Sequence, residues 1–580
     1  MRLLQILILS LCIALAYISI AGAFEPKVVE TNPKLANFTA SFFPPHIINV
    51  TDGIYLACGY TRNNPLLIEG TDGLIVVDPG ESTSAANITK KAFNDHLGNI
   101  FARKPVKAII YTHHHDCHIH GASVYAGNSR PQIIAHENIN KTLFYDWYGQ
   151  LFTGRLVGGA MMAGTLFAND PGYYSGGALF AVQVPGPSGY MPPTLTVKDK
   201  LDLNISGVHM QLYSVPGETR DVIIVWLPEK KLMVQIANFY EAFPAITTLR
   251  GADFRNPLDY VDSIDFYRSF NPEIMVLLHG PHPVLVGAEN ISRTLTNYRD
   301  AIQYIHDQTV YYMNRGLTPG EIAEKVDLPS HLASDPYLQE TYGQVDRDIY
   351  EIFWWYRGYF DGECRDLYPV SPKEEARMAV DLAGGVDNLA SKAQAALDNG
   401  NTTWALVFSD DVLQLDPGNK QARDVKNASL IALAERTFNA QERNYLLSEY
   451  LLESGQVKMR PVSFNLIDDN IVPLMPMNAI NRILDVRLNA TRSVDKDVIA
   501  GLHLTNSTEP ADYSLHVRYG VLEVLPQVPA GAEFNITTEP MVWRDLVLSK
   551  LDPKAAVSEG KVTITGAGPE AFYGFFGLFD

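Results

Sequence analysis

A histidine-rich stretch constrains the fold of this chain more than any other feature. It runs from Thr112 to Gly121 and has the sequence THHHDCHIHG. It follows an apolar run, Val106 to Tyr111, that predicts a buried strand, which puts the histidines on a loop at the strand's C-terminal end. Ligand sites of α/β sheets lie at that edge, and imidazoles at this spacing suit zinc. An incidental solvated loop is the alternative interpretation.

Three further polar residues are expected near the histidine loop, because each ends or joins predicted strands. Asp78 follows the apolar run Leu74 to Val77, where its carboxylate can hold a neighbouring loop by hydrogen bonding. Glu218 lies at the tip of a turn, and His279 closes the run Ile274 to Leu278. Polar chelating residues at strand ends, with strands and helices alternating, predict an α/β sandwich with a site along one edge.

Two segments near this site have clear sequence patterns. A helix is predicted at about Ser82 to Leu97. Residues 150 to 200 are rich in Gly, Pro and Met and have poor periodicity. That composition indicates a long functional loop, which we expect to cover the site.

The second half of the chain has a helical pattern. Helices are predicted at Leu295 to Asn314, Thr318 to Lys325 and Val345 to Tyr359. The aromatic run Phe353 to Tyr356, followed by Tyr359 and Phe360, is too apolar for one short helical unit to bury. A dimer contact is the expected use of that surface.

The C-terminal part changes character again. Residues 373 to 455 predict two or three amphipathic helical hairpins without a sustained repeat. Beyond them, alternating strands and helices predict a small α+β domain. The predicted strands are Ser514 to Arg518, Val521 to Leu525, Ala532 to Thr537 and Lys561 to Thr565, and the helices lie near Met477 to Leu488 and Val542 to Leu551.

Composition limits the classes of function. A chain of 580 residues is too long for one hydrophobic core, which predicts several domains. The net charge of -19 gives no electrostatic basis for binding nucleic acid. Downstream of Cys12, the three cysteines Cys58, Cys117 and Cys364 are an odd number, which argues against a disulfide framework and leaves at least one thiol free or bound to metal.

The N-terminus predicts entry into a secretory pathway. Arg2 precedes an apolar stretch, Leu3 to Ile20, and the small residues Ala21 to Ala23, as in a cleaved signal peptide. An uncleaved anchor is the alternative, and no other segment predicts a membrane span. Eleven N-x-S/T sequons support N-glycosylation: Asn37, Asn49, Asn87, Asn140, Asn204, Asn290, Asn401, Asn427, Asn489, Asn506 and Asn535.

With these features together, the N-terminal part resembles the metallo-β-lactamase fold. The segments Tyr298 to Thr309, Gly316 to Ala323 and Tyr359 to Gly362 resemble the dimerisation domain of secreted and periplasmic alkyl sulfatases. The C-terminal domain resembles the sterol-carrier-like module that closes those enzymes. The resemblance therefore implies an α/β chain, in which a metallo-β-lactamase αββα sandwich precedes an all-α dimerisation domain and a small α+β domain.

The resemblance also implies two zinc sites. His113, His115 and Glu218 match the family's first set of ligands, and this set is complete. The second set would consist of Cys117, His118 and His279, with His282 as the alternative late histidine. Arg250, in the sequence LRGA, matches the arginine that the family places near the sulfate.

This sequence departs from the family pattern at three positions. The aspartate of the family's T-H-x-H-x-D-H motif is Cys117, and the metal-bridging acid falls at Ala237, which cannot coordinate a metal. An asparagine expected near the sulfate is Ala245. Cys117 could compensate in part, because thiolate is a good zinc ligand, and Asp116 could supply an oxygen if the loop shifts by one residue.

We therefore expect a secreted hydrolase that binds one or two zinc ions and cleaves an organic sulfate ester with a zinc-activated water. One alternative is a degenerate, non-catalytic relative that binds an apolar or sulfated ligand. Another is a metallo-hydrolase of a different ester, because fold does not determine function.

The expected organisation has four parts and a homodimeric assembly. They are a signal peptide at 1–23, a metallo-β-lactamase-like domain at 24–293, a helical dimerisation domain at 294–455 and a sterol-carrier-like domain at 456–580. After cleavage the protein would be secreted or lumenal and N-glycosylated, with no stable membrane span.

Overall fold

The computed structural model describes residues 18–20, 29–149, 151–167, 182–459 and 463–579. The predicted signal peptide lies outside the described residues, except for strand β1 (Ile18–Ile20). None of the described helices is long and apolar enough to cross a membrane. The chain divides into two compact units, one of residues 1–137 and 157–460 and the other of residues 138–156 and 461–580.

The first sheet of the larger unit has seven strands in chain order, and its last four strands run parallel. Their C-terminal ends therefore meet at one edge. The predicted strand Val106 to Tyr111 is confirmed as β6, which ends one residue earlier. The strands are β2 (His46–Thr51), β3 (Ile54–Cys58), β4 (Leu66–Glu69), β5 (Leu74–Val77), β6 (Val106–Ile110), β7 (Gln132–His136) and β8 (Leu195–Val197).

The second sheet has the order β14-β13-β12-β11-β10-β9 and is antiparallel except between β12 and β13. Apolar side chains of both sheets, including Ile75, Ala108, Val225 and Val234, form one buried cluster. The sheets therefore share a core. The strands are β9 (Lys200–Ile205), β10 (Val208–Ser214), β11 (Ile223–Leu227), β12 (Leu232–Gln235), β13 (Ile274–Leu277) and β14 (Val284–Val286).

Helices cover the two sheets. Thr83–Leu97 packs on β2 and β3, and Ser82 caps it by accepting a hydrogen bond from the backbone N–H of Ala85 at 3.0 Å, close to the predicted start. Ala288–Met313 packs on β13 and β14. These layers confirm the predicted α/β sandwich. The remaining helices up to residue 287 are Pro33–Ala40, Ile100–Arg103, Asp116–Ile119, Ala122–Ala126, Ile139–Lys141, Phe152–Met162 and Pro257–Ser269, with a π-helix at Thr142–Trp147 and 3-10 turns at Thr165–Phe167 and Pro228–Lys230.

The prediction of a loop throughout residues 150 to 200 is wrong in part, because the helix Phe152–Met162 lies there. Glycines weakened the helical pattern, and one of them, Gly158, has a packing role. A Cβ atom at Gly158 would lie 3.0 Å from the Cα atom of Arg250. Glycine thus lets this helix approach the Arg250 segment closely. Residues 168–181 of the expected loop lie outside the described part of the chain.

The helical region follows the sandwich. The predicted helix Thr318 to Lys325 begins with a capping box at Thr318 and ends at Ala323. On Val345–Arg357, Phe353 is buried whereas Trp354 and Trp355 are 50% and 56% exposed. The helices are Pro319–Ala323, Ser330–Ala333, Val345–Arg357, Pro372–Ala383, Val386–Asp398, Thr402–Leu415, Lys420–Arg436 and Ala440–Glu453, with 3-10 turns at Pro336–Leu338 and Cys364–Leu367.

The C-terminal strands form a separate five-stranded sheet with the order β18-β17-β16-β19-β20, as expected for a small α+β domain. Strand β15 (Val457–Met459) pairs instead with β1. The sheet strands are β16 (Asp497–Leu504), β17 (Asp512–Arg518), β18 (Val521–Leu525), β19 (Phe534–Thr538) and β20 (Val562–Gly566). The helices are Met477–Arg487, Ala490–Ser493, Pro540–Val547, Pro553–Ser558 and Pro569–Phe576, with 3-10 turns at Phe464–Leu466 and Val472–Leu474.

Candidate metal centre

Asp78 holds the histidine loop at the end of β6, as the sequence predicted. Its Oδ1 accepts a hydrogen bond from the Thr112 backbone N–H at 2.8 Å, and its Oδ2 accepts one from the Thr112 hydroxyl at 2.6 Å. The same Oδ2 lies 2.7 Å from Nδ1 of His118. This fully buried carboxylate therefore fixes both the start of the loop and one of its histidine rings.

The predicted first set of ligands comes together in space. Nε2 of His113 lies 2.9 Å from Nδ1 of His115, and that Nδ1 lies 3.9 Å from Oε1 of Glu218. One ligand atom from each of the three residues lies within 4.8 Å of the other two. Burial, followed by the charges of neighbouring histidines, lowers the pKa of both imidazoles well below the usual value. The rings are therefore neutral at pH 7, the form that coordinates metal.

Arg255, which the sequence analysis missed, pairs with this first set. Its Nη2 lies 3.0 Å from Oε1 of Glu218, and its Nη1 donates to the Ala245 carbonyl oxygen at 2.7 Å. The arginine side chain is 2% exposed and that of Glu218 is 10% exposed. Because both charges are largely removed from water, the pair orients the carboxylate strongly.

The predicted second set, Cys117, His118 and His279, also comes together and is buried. Cys117 Sγ lies 3.9 Å from Nε2 of His279, and the two imidazole ring centres are 5.0 Å apart. Because Nδ1 of His118 faces Asp78, the opposite nitrogen, Nε2, remains for a further ligand. That buried Nε2 has no hydrogen-bond partner among the described residues.

These three residues fit a zinc ion. A thiolate and two imidazoles are typical zinc donors, and a carboxylate behind a metal-binding histidine is a common supporting contact. A buried imidazole nitrogen without a partner is costly unless a ligand occupies it. Burial opposes protonation of His118, but the charges of Cys117 and Asp78 raise its pKa to about 10. An ion at Nε2 would therefore displace a proton.

Ala237, which the family resemblance assigns to the position of a metal-bridging acid, has no side-chain donor atom. It is buried and has a φ angle of 72°, an uncommon conformation for a residue with a side chain. The next residue, Asn238, accepts a hydrogen bond from the Glu218 backbone N–H at 2.9 Å and donates one to the Val215 carbonyl oxygen at 2.8 Å. This segment therefore retains its contact with the Glu218 turn without the acid.

The structure separates the two late histidines. His279 lies in the second set, whereas the side chain of His282 is 62% exposed and its Nδ1 pairs with Oε1 of Glu241 at 2.7 Å. Asp116 does not join the second set, since its Oδ1 lies 3.1 Å from Nε2 of His120. The ligand atoms come together without the one-residue loop shift that the sequence left open.

Arg250 lies in electrostatic reach of the first set, where it contributes to lowering the pKa of His115. Its Nη1 donates to the Gly251 carbonyl oxygen at 3.3 Å. The pKa of the buried Tyr342 hydroxyl is raised, first by burial and then by the charge of Glu218. The charge of Arg250 opposes this rise. A cationic side chain thus lies within electrostatic reach of His115, and a buried phenol within reach of Glu218 and Arg250.

Asp348 is a second residue that the sequence analysis missed. It is fully buried in the helix Val345–Arg357, and its Oδ1 accepts the backbone N–H groups of Ile246 and Thr247 at 3.1 and 3.2 Å. The helical region therefore anchors the segment that leads to Arg250 and Arg255. No local sequence pattern signals this contact, because about a hundred residues separate its two sides.

Comparisons with known proteins agree with this architecture. Residues 59–283 match the metallo-beta-lactamase superfamily, and residues 318–454 match the alkyl sulfatase dimerisation family. A linear primary-alkylsulfatase from a Pseudomonas species is 32% identical over 504 residues, which cover 83% of this chain and 92% of that protein. The alkyl/aryl-sulfatase BDS1 of Saccharomyces cerevisiae is 26% identical over 507 residues, which cover 84% of this chain and 76% of that protein.

A solved structure supports the fold of the whole chain. The stereoselective inverting sec-alkylsulfatase Pisa1 from a Pseudomonas species superposes with a TM-score of 0.84 and 23% identity, covering 95% of this chain and 87% of that one. The predicted order of sandwich, helical region and C-terminal sheet domain is therefore confirmed. From the 32% identical relative and the two family matches, this chain belongs to the alkylsulfatase family of metallo-β-lactamase-fold hydrolases.

Proposed function

We propose that this protein is a zinc-dependent hydrolase of organic sulfate esters, with an alkyl sulfate as the simplest substrate. The observation that carries the proposal is the pair of ligand sets, His113, His115 and Glu218 beside Cys117, His118 and His279, at adjoining loop ends in a chain of this family. The ring centres of His113 and His118 lie 4.4 Å apart, which makes the two sets neighbours in one centre.

The two sets would hold one or two zinc ions. Bound zinc supplies a Lewis-acid charge that polarises an ester oxygen and activates water at neutral pH. Asp78 holds Nδ1 of the His118 imidazole, which would leave Nε2 to bind an ion. Arg255 holds the Glu218 carboxylate in place. Burial of the second set excludes bulk water from that side of the centre.

Arg250 would bind the sulfate group of the substrate. Its guanidinium lies close enough to His115 to shift the pKa of that ring, and its positive charge complements an anionic ester. When the C–O bond breaks, negative charge collects on the departing sulfate. A cation beside it stabilises that charge in the transition state more than in the ground state.

We also propose that the chain is a secreted homodimer. The signal-peptide pattern of residues 1–23 and the sequons support secretion and glycosylation. The match to the dimerisation family and the exposed Trp354 and Trp355 support the homodimer.

The proposed divisions of the mature chain are 24–293, 294–455 and 456–580. Amino-terminal sequencing of the secreted protein tests cleavage after Ala23, and retention of Met1 would contradict it.

A non-hydrolytic relative is the second candidate, favoured by one observation. Ala237 and Ala245 are both buried where the family pattern has a carboxylate and an amide. Such a protein would bind a sulfated or apolar ligand without turning it over. A metallo-hydrolase of another ester class is a third candidate. It would use the same metal ligands, but Arg250 would bind a different group of the substrate.

Metal content and sulfate release separate these candidates. We expect up to two zinc ions per chain and release of inorganic sulfate from dodecyl sulfate. A protein without bound zinc that releases no sulfate would contradict the proposed hydrolase. As a matched pair, His279→Ala should lower zinc content, whereas His282→Ala should not, because His282 pairs with Glu241. Equal loss in both variants would reject His279 as the specific ligand.

A further inference from the structure

His114 lies between two proposed zinc ligands, His113 and His115, but belongs to neither ligand set. Its ring centre is 4.9 Å from that of His115. Its Nδ1 lies 2.9 Å from Oδ1 of Asp221. The side chains of His114 and Asp221 are 6% and 0% exposed, so this contact is shielded from water.

Asp221 ends the turn that carries Glu218, between β10 and β11. The Val215 backbone N–H closes the turn by donating to the Val222 carbonyl oxygen at 2.9 Å. Asp221 lies three residues after Glu218, within the closed segment. A side chain that holds Asp221 therefore also holds the turn from which Glu218 reaches the metal centre.

The first ligand set joins two separate segments of the chain. His113 and His115 come from the loop after β6, whereas Glu218 comes from the turn before β11. One backbone contact links the segments, in which the Ile223 N–H donates to the Thr112 carbonyl oxygen at 2.8 Å. This bond fixes where the loop begins, and a further contact is needed to fix how its two histidines are turned towards Glu218.

The contact between His114 and Asp221 supplies that second link, across 107 residues of sequence. Burial opposes ionisation of Asp221, but the charge of His114 and the hydrogen bond to it lower the pKa of that carboxyl below its usual value. A hydrogen bond to a buried, ionised carboxylate is short and directional. The pair is therefore suited to fixing the orientation of the loop.

The second ligand set has a support of its own. Oδ2 of Asp78 lies 2.7 Å from Nδ1 of His118 and also accepts the Thr112 hydroxyl. These contacts do not involve His114 or Asp221. Loss of the His114 contact should therefore disturb the first set more than the second.

We propose that His114 is a positioning residue for the first metal position and, through Asp221, holds the Glu218 turn against the histidine loop. The three ligands are then brought together before an ion binds. The inference rests on the proposed function, since a metal must occupy the first set. Ligands held in place bind more tightly, because less conformational freedom is lost on binding, and supporting contacts of this kind change metal affinity by about 10- to 100-fold.

A substitution that removes the donor tests the proposal. His114→Leu should weaken zinc binding at the first position by about tenfold or more, measured by competition with a chelator. The second position should be unchanged, with the same sulfur-to-metal charge-transfer absorption after loading with cobalt. His114→Asn should restore most of the affinity, because the asparagine amide can place an N–H donor near the position of Nδ1. A merely structural role would not separate the two metal positions.

His306→Leu is the matched control. The His306 side chain is 9% exposed, and its Nδ1 lies 2.8 Å from Oδ1 of Asp307, so the variant loses the same kind of contact on another helix. Both zinc affinities should stay at the wild-type values. If His114→Leu does not fold, the same change combined with Asp221→Asn serves, because it leaves no unpaired buried charge.

Wild-type affinity at the first position in His114→Leu, or equal losses in His114→Leu and His114→Asn, would overturn the inference and leave the proposed function standing. If the wild type binds no zinc, the proposed function fails instead. Hydrogen exchange of the metal-free protein then decides the role of His114. The backbone amides of Glu218 and Ile223 should exchange faster in His114→Leu than in the wild type, and equal rates would reject the link.

Discussion

The two ligand sets of this centre are built in opposite ways. In the first, Glu218 supplies the negative charge and is paired with a guanidinium, that of Arg255. In the second, the acid is replaced by the Cys117 thiol, and His118 is supported by a carboxylate, that of Asp78. The family resemblance predicts that the first set is complete and that the second lacks a bridging acid, at Ala237.

If that prediction holds, the second position has kept three donor side chains without the bridging carboxylate. A thiolate binds zinc more covalently than a carboxylate does, so three donors with one sulfur suit a soft ion. Without a bridging oxygen, the two metal positions share fewer ligands. We therefore expect metal occupancy at one position to depend less on occupancy at the other. Variants that affect both sets or only one test this view.

Asp78→Ala should have the largest effect, because it acts on both sets. It removes the acceptor of two Thr112 hydrogen bonds and of the His118 contact in a fully buried place. We expect a loss of about 3 kcal/mol or more in unfolding free energy and loss of metal from both positions. Thermal unfolding and metal analysis measure this.

Asp202→Ala is the matched control for that variant, because its carboxylate is exposed and lies 2.9 Å from Nε2 of a histidine, His209. This change should shift the unfolding temperature little and leave metal content intact. If Asp78→Ala retained both metal ions, the role of Asp78 as the common support of the two sets would be rejected.

Cys117→Ser should affect one set only. Loss of the sulfur should weaken metal binding at the second position by about 100-fold or more and leave the first occupied. In the cobalt-loaded protein, the sulfur-to-metal charge-transfer absorption should disappear. His115→Ala should show the converse, with the absorption retained.

Cys364→Ser controls for thiol chemistry elsewhere, because Cys364 is an exposed free cysteine. Its cobalt spectrum should match the wild type. An unchanged charge-transfer band in Cys117→Ser would show that the thiol is not a ligand and would remove the contrast between the two sets.

Asp348→Asn should have the smallest effect on stability. Asp348 anchors the segment that leads to Arg255, the partner of Glu218 in the first set. Burial raises the pKa of Asp348 well above its usual value, opposed by the Ile246 and Thr247 N–H groups and by the Arg255 charge. The folded protein therefore binds a proton that the unfolded chain releases above about pH 4, and stability falls as the pH rises. Glu351, the other acid near this group, adds to the rise.

Asparagine keeps the acceptor oxygen and cannot ionise. We expect the unfolding temperature of Asp348→Asn to depend less on pH between about 4 and 7 than that of the wild type, and to be equal or higher at pH 7. Asp346→Asn, at an exposed position on the same helix, is the control. Parallel pH profiles for wild type and Asp348→Asn would contradict the raised pKa.

The parts of the fold and site that the sequence predicted depend on local pattern. The run Val106 to Tyr111 is apolar at every position but one, so its burial and the exit of the histidine loop follow from a few adjacent residues. Helix Thr83–Leu97 was predicted within one residue, because Ser82 is a strong N-cap. The error at Phe152–Met162 arose because Gly158 serves a contact with Arg250 that local propensity does not contain.

The choice between His279 and His282 could not be made from spacing, since both follow the same strand. It depends on Gly280, which has a φ angle of 84°, and on Asn64, which donates to the Gly280 carbonyl oxygen at 2.9 Å. These contacts join segments more than two hundred residues apart. They turn the loop so that His282 faces Glu241 instead of Cys117 and His118.

The sequence by itself determined the donor types and their positions at strand ends, because histidine spacing and strand burial are properties of neighbouring residues. It also predicts that Cys117 and Ala237 depart from the family pattern. Only the tertiary structure decided which donors share a position, that Arg255 pairs with Glu218, and that Asp348 anchors their segment. Those contacts depend on how distant segments pack, and packing is set by the whole core rather than by any local run.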